Sequence, residues 1–151
     1  MDESGSELVR RYFHEVFNEQ REDACDELVA ARYVEHATAP FSDSEPGEVD
    51  GPAHTRGVVA WLRTQFPDLQ MTVEEAVGTG DMVVARVFSE GTNLGPLNGA
   101  IPPTGRRFAA YQDHWYRIEG GRLAEHWAVR DDLTAMLQLG VITPPRPPCP
   151  G

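Results

Sequence analysis

Apolar positions in the first third of the chain follow a helical period. Leu8, Val9, Tyr12, Phe13, Val16 and Phe17 fall on one stripe of a helix predicted over residues 6–20, with Ser6 placed to cap it. A second short helix is predicted over 22–30. A third covers 53–66, with Val58, Val59, Leu62 and Phe66 on one side and Pro67 as its stop. Residues 32–37 form a short extended piece. Residues 38–52 read as a loop from their Pro, Gly, Ser and Asp content, of a length at which loops are often functional lids.

The period then changes to strand-like alternation. Residues 69–93 read as a hairpin broken at Gly78–Gly80, and residues 93–107 as a second loop. Residues 107–118 and 122–131 are the last two strands, and 132–140 a short terminal helix. The proline-rich tail, 143–151, has no means of forming regular structure. Helices followed by strands imply an α+β domain, a curved antiparallel sheet with helices on one face. Neither a repeat nor a linker divides the chain, so 1–151 is expected to be one domain.

The last two strands carry the chemistry. A three-residue loop, Glu119–Gly121, would pair Ile118 with Arg122 and set His114 opposite His126, Gln112 opposite Ala128 and Ala110 opposite Arg130. One face then holds Gln112, His114, Tyr116, His126, Ala128 and Arg130. The other holds Tyr111, Asp113, Trp115, Arg117, Glu125, Trp127 and Asp131. A two-residue loop would shift the register by one and separate the histidines. Two facing imidazoles suit proton transfer near neutral pH; the plainer alternative is a pair of half-buried sheet residues satisfied by neighbours. Trp115, Trp127 and Tyr111 read as core or subunit-interface aromatics before anything else.

Composition narrows the function. The net charge of −11 argues against nucleic acid or an anionic membrane as partner. Cys25 and Cys149 have no metal-site spacing and are too few for a disulfide framework, and the histidine pair lacks a third ligand, so no metal is expected. The acidic start carries no apolar run and no stretch is long enough to span a bilayer, which gives a cytoplasmic expectation.

The segments YVEHATAP, FPDLQMTVEEAVGTGDMVVARV, GTNLGPLNGAIPPTGRRFAAYQDHWYRIEGGRLAEHWAVRDD and LQLG together resemble the SnoaL-like polyketide cyclases (ester cyclases) of the NTF2-like superfamily. The resemblance covers roughly residues 6 to 141 and is specific in combination. It implies a cone-shaped α+β barrel with an apolar pocket in its mouth. It also implies a homodimer or homotetramer formed through the outer sheet face, and ring closure of a polyketide by intramolecular aldol chemistry without metal or cofactor. Carried over by position, His114, Gln112 and His126 match pocket residues and Phe17 a pocket-lining aromatic. Position 128 departs from the pattern. The resemblance places an acid/base aspartate there, and this chain has Ala128. A methyl group transfers no proton, and loss of a positioned base typically costs about 100- to 10,000-fold in rate.

The expected function is therefore a cofactor-free cyclase acting on a hydrophobic polyketide-like molecule. His114 and His126 are the expected acid/base pair, Gln112 and Arg130 hold oxygens, and Ala128 gives room for a differently shaped substrate. Tyr116, Phe17, Trp61, Glu35 and His36 complete the candidate substrate contacts. Dehydration or a shape-directed pericyclic closure is also compatible. One alternative is an epoxide hydrolase or ether-ring-forming cyclase built on Arg130 with Asp131 and Asp132, although strand neighbours point to opposite faces. The other is a non-catalytic small-ligand carrier on a reused fold.

Overall fold

The computed structural model describes residues 4–39 and 43–150. Ser4, rather than Ser6, caps the first helix. Its hydroxyl accepts from the Glu7 amide at 3.2 Å, and the Glu7 carboxylate accepts from the Ser4 amide at 3.1 Å, a reciprocal capping box. Helix α1 (Gly5–Arg11) then widens into a π-helical segment, Tyr12–Asn18. The Glu19 amide donates to the His14 carbonyl at 2.9 Å, a five-residue step. The single helix expected over 6–20 is thus two joined segments. The wider turn narrows the arc over which Tyr12, Phe13, Val16 and Phe17 are spread, and all four are buried.

The elements that follow are α2 (Glu22–Leu28), β1 (Val29–Glu35), β2 (Gly47–Asp50), α3 (Gly51–Gln65), β3 (Gln70–Thr79), β4 (Met82–Thr92), β5 (Arg107–Glu119), β6 (Arg122–Arg130) and α4 (Asp132–Leu139). Two expectations change here. The stretch 38–52 is not loop throughout: residues 47–50 form the edge strand β2, and residues 40–42 lie outside the described residues. The sheet is also mixed. Its order is β2-β1-β6-β5-β4-β3, and β1 runs parallel to β6 while every other pair is antiparallel. The first and last strands become neighbours only through a long crossover, the kind of connection that parallel pairing requires.

Helix α3 starts where β2 ends. Asp50 caps it by accepting from the Ala53 amide at 3.0 Å, and Pro52 sits in its first turn. A Cβ on Gly51 would stand 2.0 Å from the Ala30 carbonyl oxygen, so only glycine lets α3 start this close to β1. The core lies between the helices and the concave face of the sheet. It is built from the Tyr12–Phe17 aromatics, Leu28, Val29, Val83, Val87, Tyr116, Leu123 and Leu139.

The β5–β6 hairpin departs from the expected register in an instructive way. Its turn has two residues, Gly120 and Gly121, both at positive φ, with Glu119 paired to Arg122 and Ile118 to Leu123. That turn alone would separate the histidines. A β-bulge inserts one extra residue on β6 before Glu125, so that Arg117 pairs with Glu125, Tyr116 with His126, His114 with Ala128 and Gln112 with Arg130. Bulge and turn together restore the parity, so the expected set of six still shares one face. The partners within it have slid by two residues. His114 and His126 are diagonal neighbours instead of opposite ones.

Candidate active site

The concave face of the sheet, the Tyr12–Asn18 segment, α3, α4 and residues 93–106 enclose a cavity of about 790 Å³. That is ample for a polycyclic small molecule. Phe13, Phe17, Leu62, Phe66, Met71 and Leu97 give it a largely apolar wall.

One side of the cavity is polar, and its groups form a single hydrogen-bonded row. Gln112 Oε1 lies 2.9 Å from His114 Nε2, and His114 Nδ1 lies 2.8 Å from His126 Nε2. His126 Nδ1 is 2.7 Å from Glu35 Oε1, and Glu35 Oε2 is 3.2 Å from His54 Nε2. Strand pairing explains the placement. Glu35 and His126 are partners across the parallel β1–β6 ladder, and the bulge turns His126 and His114 to the same side. The two imidazole planes lie 8° from parallel with centroids 5.1 Å apart, edge to edge as their hydrogen bond requires, and Tyr116 packs flat on His126 with ring centroids 4.6 Å apart. Phe13 meets His114 edge-on.

Electrostatics sets the charge along the row. Burial pushes the Glu35 carboxyl up. The hydrogen bonds from His126 and His54, the His126 charge and the Ala37 amide outweigh burial and hold it down to about 2. His114 moves the other way. Burial, then the charges of His126 and Arg130, hold it well below the ordinary histidine value, so it is neutral. Burial likewise raises Tyr116, Tyr33 and Tyr12, which stay as phenols.

With the Gln112 oxygen facing it, neutral His114 donates from Nε2 and accepts at Nδ1. His126 must then donate from Nε2 to His114 and from Nδ1 to Glu35. With the Gln112 amide turned over, the same contacts are met by the other tautomer, in which His114 donates from Nδ1 to His126 and Nε2 is left bare as a neutral base.

Of the residues singled out in the sequence, His114, His126, Gln112, Arg130, Tyr116, Phe17, Glu35 and Trp61 all line the cavity. Two do not. His36 follows Glu35 in the extended chain and so points to the convex face, where its ring stacks on Trp127 at 4.8 Å and its Nε2 meets Glu125 at 2.8 Å. Ala128 pairs with His114 on the same face but is not one of the residues lining the cavity. Arg130 donates to the Thr38 carbonyl at 2.5 Å and lies 3.5 Å from Asp132. Asp131 caps α4, accepting from the Thr134 amide at 3.0 Å and its hydroxyl at 2.6 Å. An Asp-Arg-Asp triplet is therefore not assembled. No group of three or more candidate metal ligands occurs among the described residues.

His54 was missed in the sequence. A signal was present: it stands four, seven and eight residues before Val58, Trp61 and Leu62, on the inward stripe of α3. A histidine heading an apolar stripe is the pattern to look for.

Comparison with known proteins finds relatives along nearly the whole chain. The family profile described as SnoaL-like polyketide cyclase matches residues 7–139. The aklanonic acid methyl ester cyclase DnrD of Streptomyces peucetius is 32% identical over 135 residues, 89% of each chain. Its counterpart DauD from Streptomyces sp. (strain C5) is 32% identical over 137 residues, covering 89% of this chain and 80% of that one. Among solved structures, wild-type IdmH from Streptomyces antibioticus superposes with a TM-score of 0.77 at 33% identity, covering 91% of this chain and 99% of that one. A protein of ketosteroid isomerase-like fold from Catenulispora acidiphila gives a TM-score of 0.69 at 19% identity, a likeness of fold alone, over 93% of this chain and 100% of that one.

Proposed function

The chain belongs to the SnoaL-like polyketide cyclase family, and from that premise we propose that it is a cofactor-independent cyclase that closes a ring in a hydrophobic, polyketide-like substrate. The observation that carries the reading is the His114–His126 pair, hydrogen-bonded at 2.8 Å on the polar side of an apolar cavity. His114, neutral and buried, is the base that takes a proton alpha to a carbonyl. The same proton is returned to the alkoxide when the new carbon–carbon bond forms, so no net proton is consumed. Gln112 and Arg130 flank the pair and offer donors to a developing oxyanion. The apolar wall folds the substrate so that its reacting carbons meet. Cyclisation thus proceeds without a carboxylate at 128. The protein is further proposed to assemble as a homodimer or homotetramer through the convex sheet face.

Incubation with a methyl-ester aromatic polyketide precursor, followed by chromatography and mass spectrometry, tests the reading. Ring closure by the wild type, reduced at least about 100-fold in His114→Ala and His126→Ala, is the expected result. Activity in Ala128→Asp alone would show a cyclase pocket whose own chemistry lies elsewhere. Binding without turnover by either protein would leave a carrier.

A further inference from the structure

The row of hydrogen bonds does not stop at the histidine pair. It continues through Glu35 on β1 to His54 on α3. We propose that Glu35 and His54 are positioning residues of a one-proton relay, in which the proton that His114 removes from the substrate is stored on His126 against the Glu35 carboxylate. This rests on the cyclase reading above and adds where the proton goes.

Two states of the row satisfy every hydrogen bond. In the empty state His126 carries one proton, on Nδ1, donated to Glu35 Oε1; its bare Nε2 accepts from His114 Nδ1–H. His114 Nε2 is then bare, the Gln112 amide nitrogen faces it, and this is the base. When the substrate C–H bond breaks, its electron pair stays on carbon and its proton goes to His114 Nε2. The His114 Nδ1–H bond breaks in the same step, and that proton passes to His126 Nε2 across the 2.8 Å separation of the two nitrogens. The loaded state has His114 donating from Nε2 to Gln112 Oε1 and His126 donating from both nitrogens. The 2.9, 2.8 and 2.7 Å contacts of the row serve both states, with Gln112 oxygen-inward in the loaded one. The enolate carbon attacks the carbonyl, the alkoxide takes the proton from His114 Nε2, and the row returns to its first state.

His114 is neutral in both states; only its tautomer changes. This resolves a conflict in using it for proton transfer, since burial, His126 and Arg130 all oppose a charge on it. The cation forms instead on His126, whose neighbours are Glu35 across β1, His114 along the row and the Tyr116 face. Glu35 is faced in turn by His126, His54, the Ala37 amide and the Tyr12 and Tyr33 rings. Its two oxygens are divided between the histidines of two elements, which fixes the carboxylate plane. The acid absent at position 128 of β6 is thereby supplied from the neighbouring strand, one hydrogen bond further from the substrate.

Nitrogen-15 NMR of the histidine rings in the ligand-free protein tests the relay without any substrate. The expected result is that His114 stays neutral and exchanges its Nδ1–H tautomer for the Nε2–H tautomer as pH falls and His126 gains its second proton. Glu35→Gln is expected to move that switch down by about one pH unit or more, because an ion-pair partner is lost. His54→Phe is expected to move it up, because Glu35 loses a donor and holds the His126 proton harder, and His54→Gln, which restores an N–H donor, to return it toward the wild-type position. A single His114 tautomer across the range, or a switch insensitive to both Glu35→Gln and His54→Phe, would overturn the relay whether or not the protein is a cyclase. Where turnover is measured, the acid limb of kcat is expected to follow the NMR switch in each variant with KM unchanged.

Discussion

Two side chains tie stability to pH, and both act in the same direction. The Glu35 carboxyl sits at about 2 in the fold against 4.5 in an unfolded chain. A depressed carboxyl stabilises above its unfolded value and loses that contribution as pH falls through its folded one. A shift of this size corresponds to stabilisation on the order of 3 kcal/mol. His114 is depressed below 6.5, so below that pH the unfolded chain binds a proton that the folded one refuses. Urea midpoints are therefore expected to hold steady above about pH 7, decline below about 6.5 and fall further below about 4.5. His114→Gln should remove the upper decline and Glu35→Gln the lower. The His114 contribution is read as the difference between His114→Gln and the wild type, and equal slopes of the two midpoints from pH 7.5 to 5 would contradict the neutral His114.

At the scale of elements, residues 93–106 show how a loop can be as well determined as a strand. Asn93 is fully buried. Its side-chain nitrogen donates to the Gly95 carbonyl at 2.7 Å, and its oxygen accepts from the Thr104 amide at 2.8 Å and the Thr104 hydroxyl at 3.1 Å. Gln65, at the end of α3, adds a bond from the Asn98 amide to its side-chain oxygen at 3.1 Å. Leu97 and Ile101 are held over the cavity as a result. Asn93→Leu leaves the Thr104 donors unpaired, with an expected loss of about 2 kcal/mol. Hydrogen exchange at the Thr104 amide should accelerate, and the thermal midpoint should drop. Composition marked this stretch as a loop correctly but gave no sign that its asparagine was a staple. The same limit applies to β2, four residues inside a Pro/Gly/Asp-rich run, whose strand character comes from β1 beside it. The face shared by His114, His126 and Gln112 was legible because side-chain alternation survives any shift of two. The exact partners were not, because nothing in LAEH announces a bulge. Glu35 was named without its role, since its meeting with His126 depends on a parallel pairing between the two ends of the chain.

At the scale of the molecule, the convex face of the sheet carries what the concave face does not need. Val84 pairs with Trp115, Trp115 with Trp127, and Trp127 stacks on His36 just past β1, giving a stripe across three strands. Trp115 is 51% exposed and Val129 78%. A stripe of this kind on an acidic protein fits self-association. Light scattering is expected to report a dimer or tetramer, and Trp115→Glu to lower the mass to that of one chain. An unchanged mass in the variant would place the contact elsewhere. The hairpin that divides these two faces behaves like a reading frame. Ala124 stands outside the pairing, so removing it would join Leu123 to Glu125 and leave Tyr116–His126 and Gln112–Arg130 paired, whereas one residue removed beyond the bulge, at Trp127, would send Ala128 and Arg130 outward and bring Val129 inward. Chain length is therefore free to change at the bulge and at the Gly120–Gly121 turn with the same side chains kept inside, and fixed along β6 from Glu125 to Arg130.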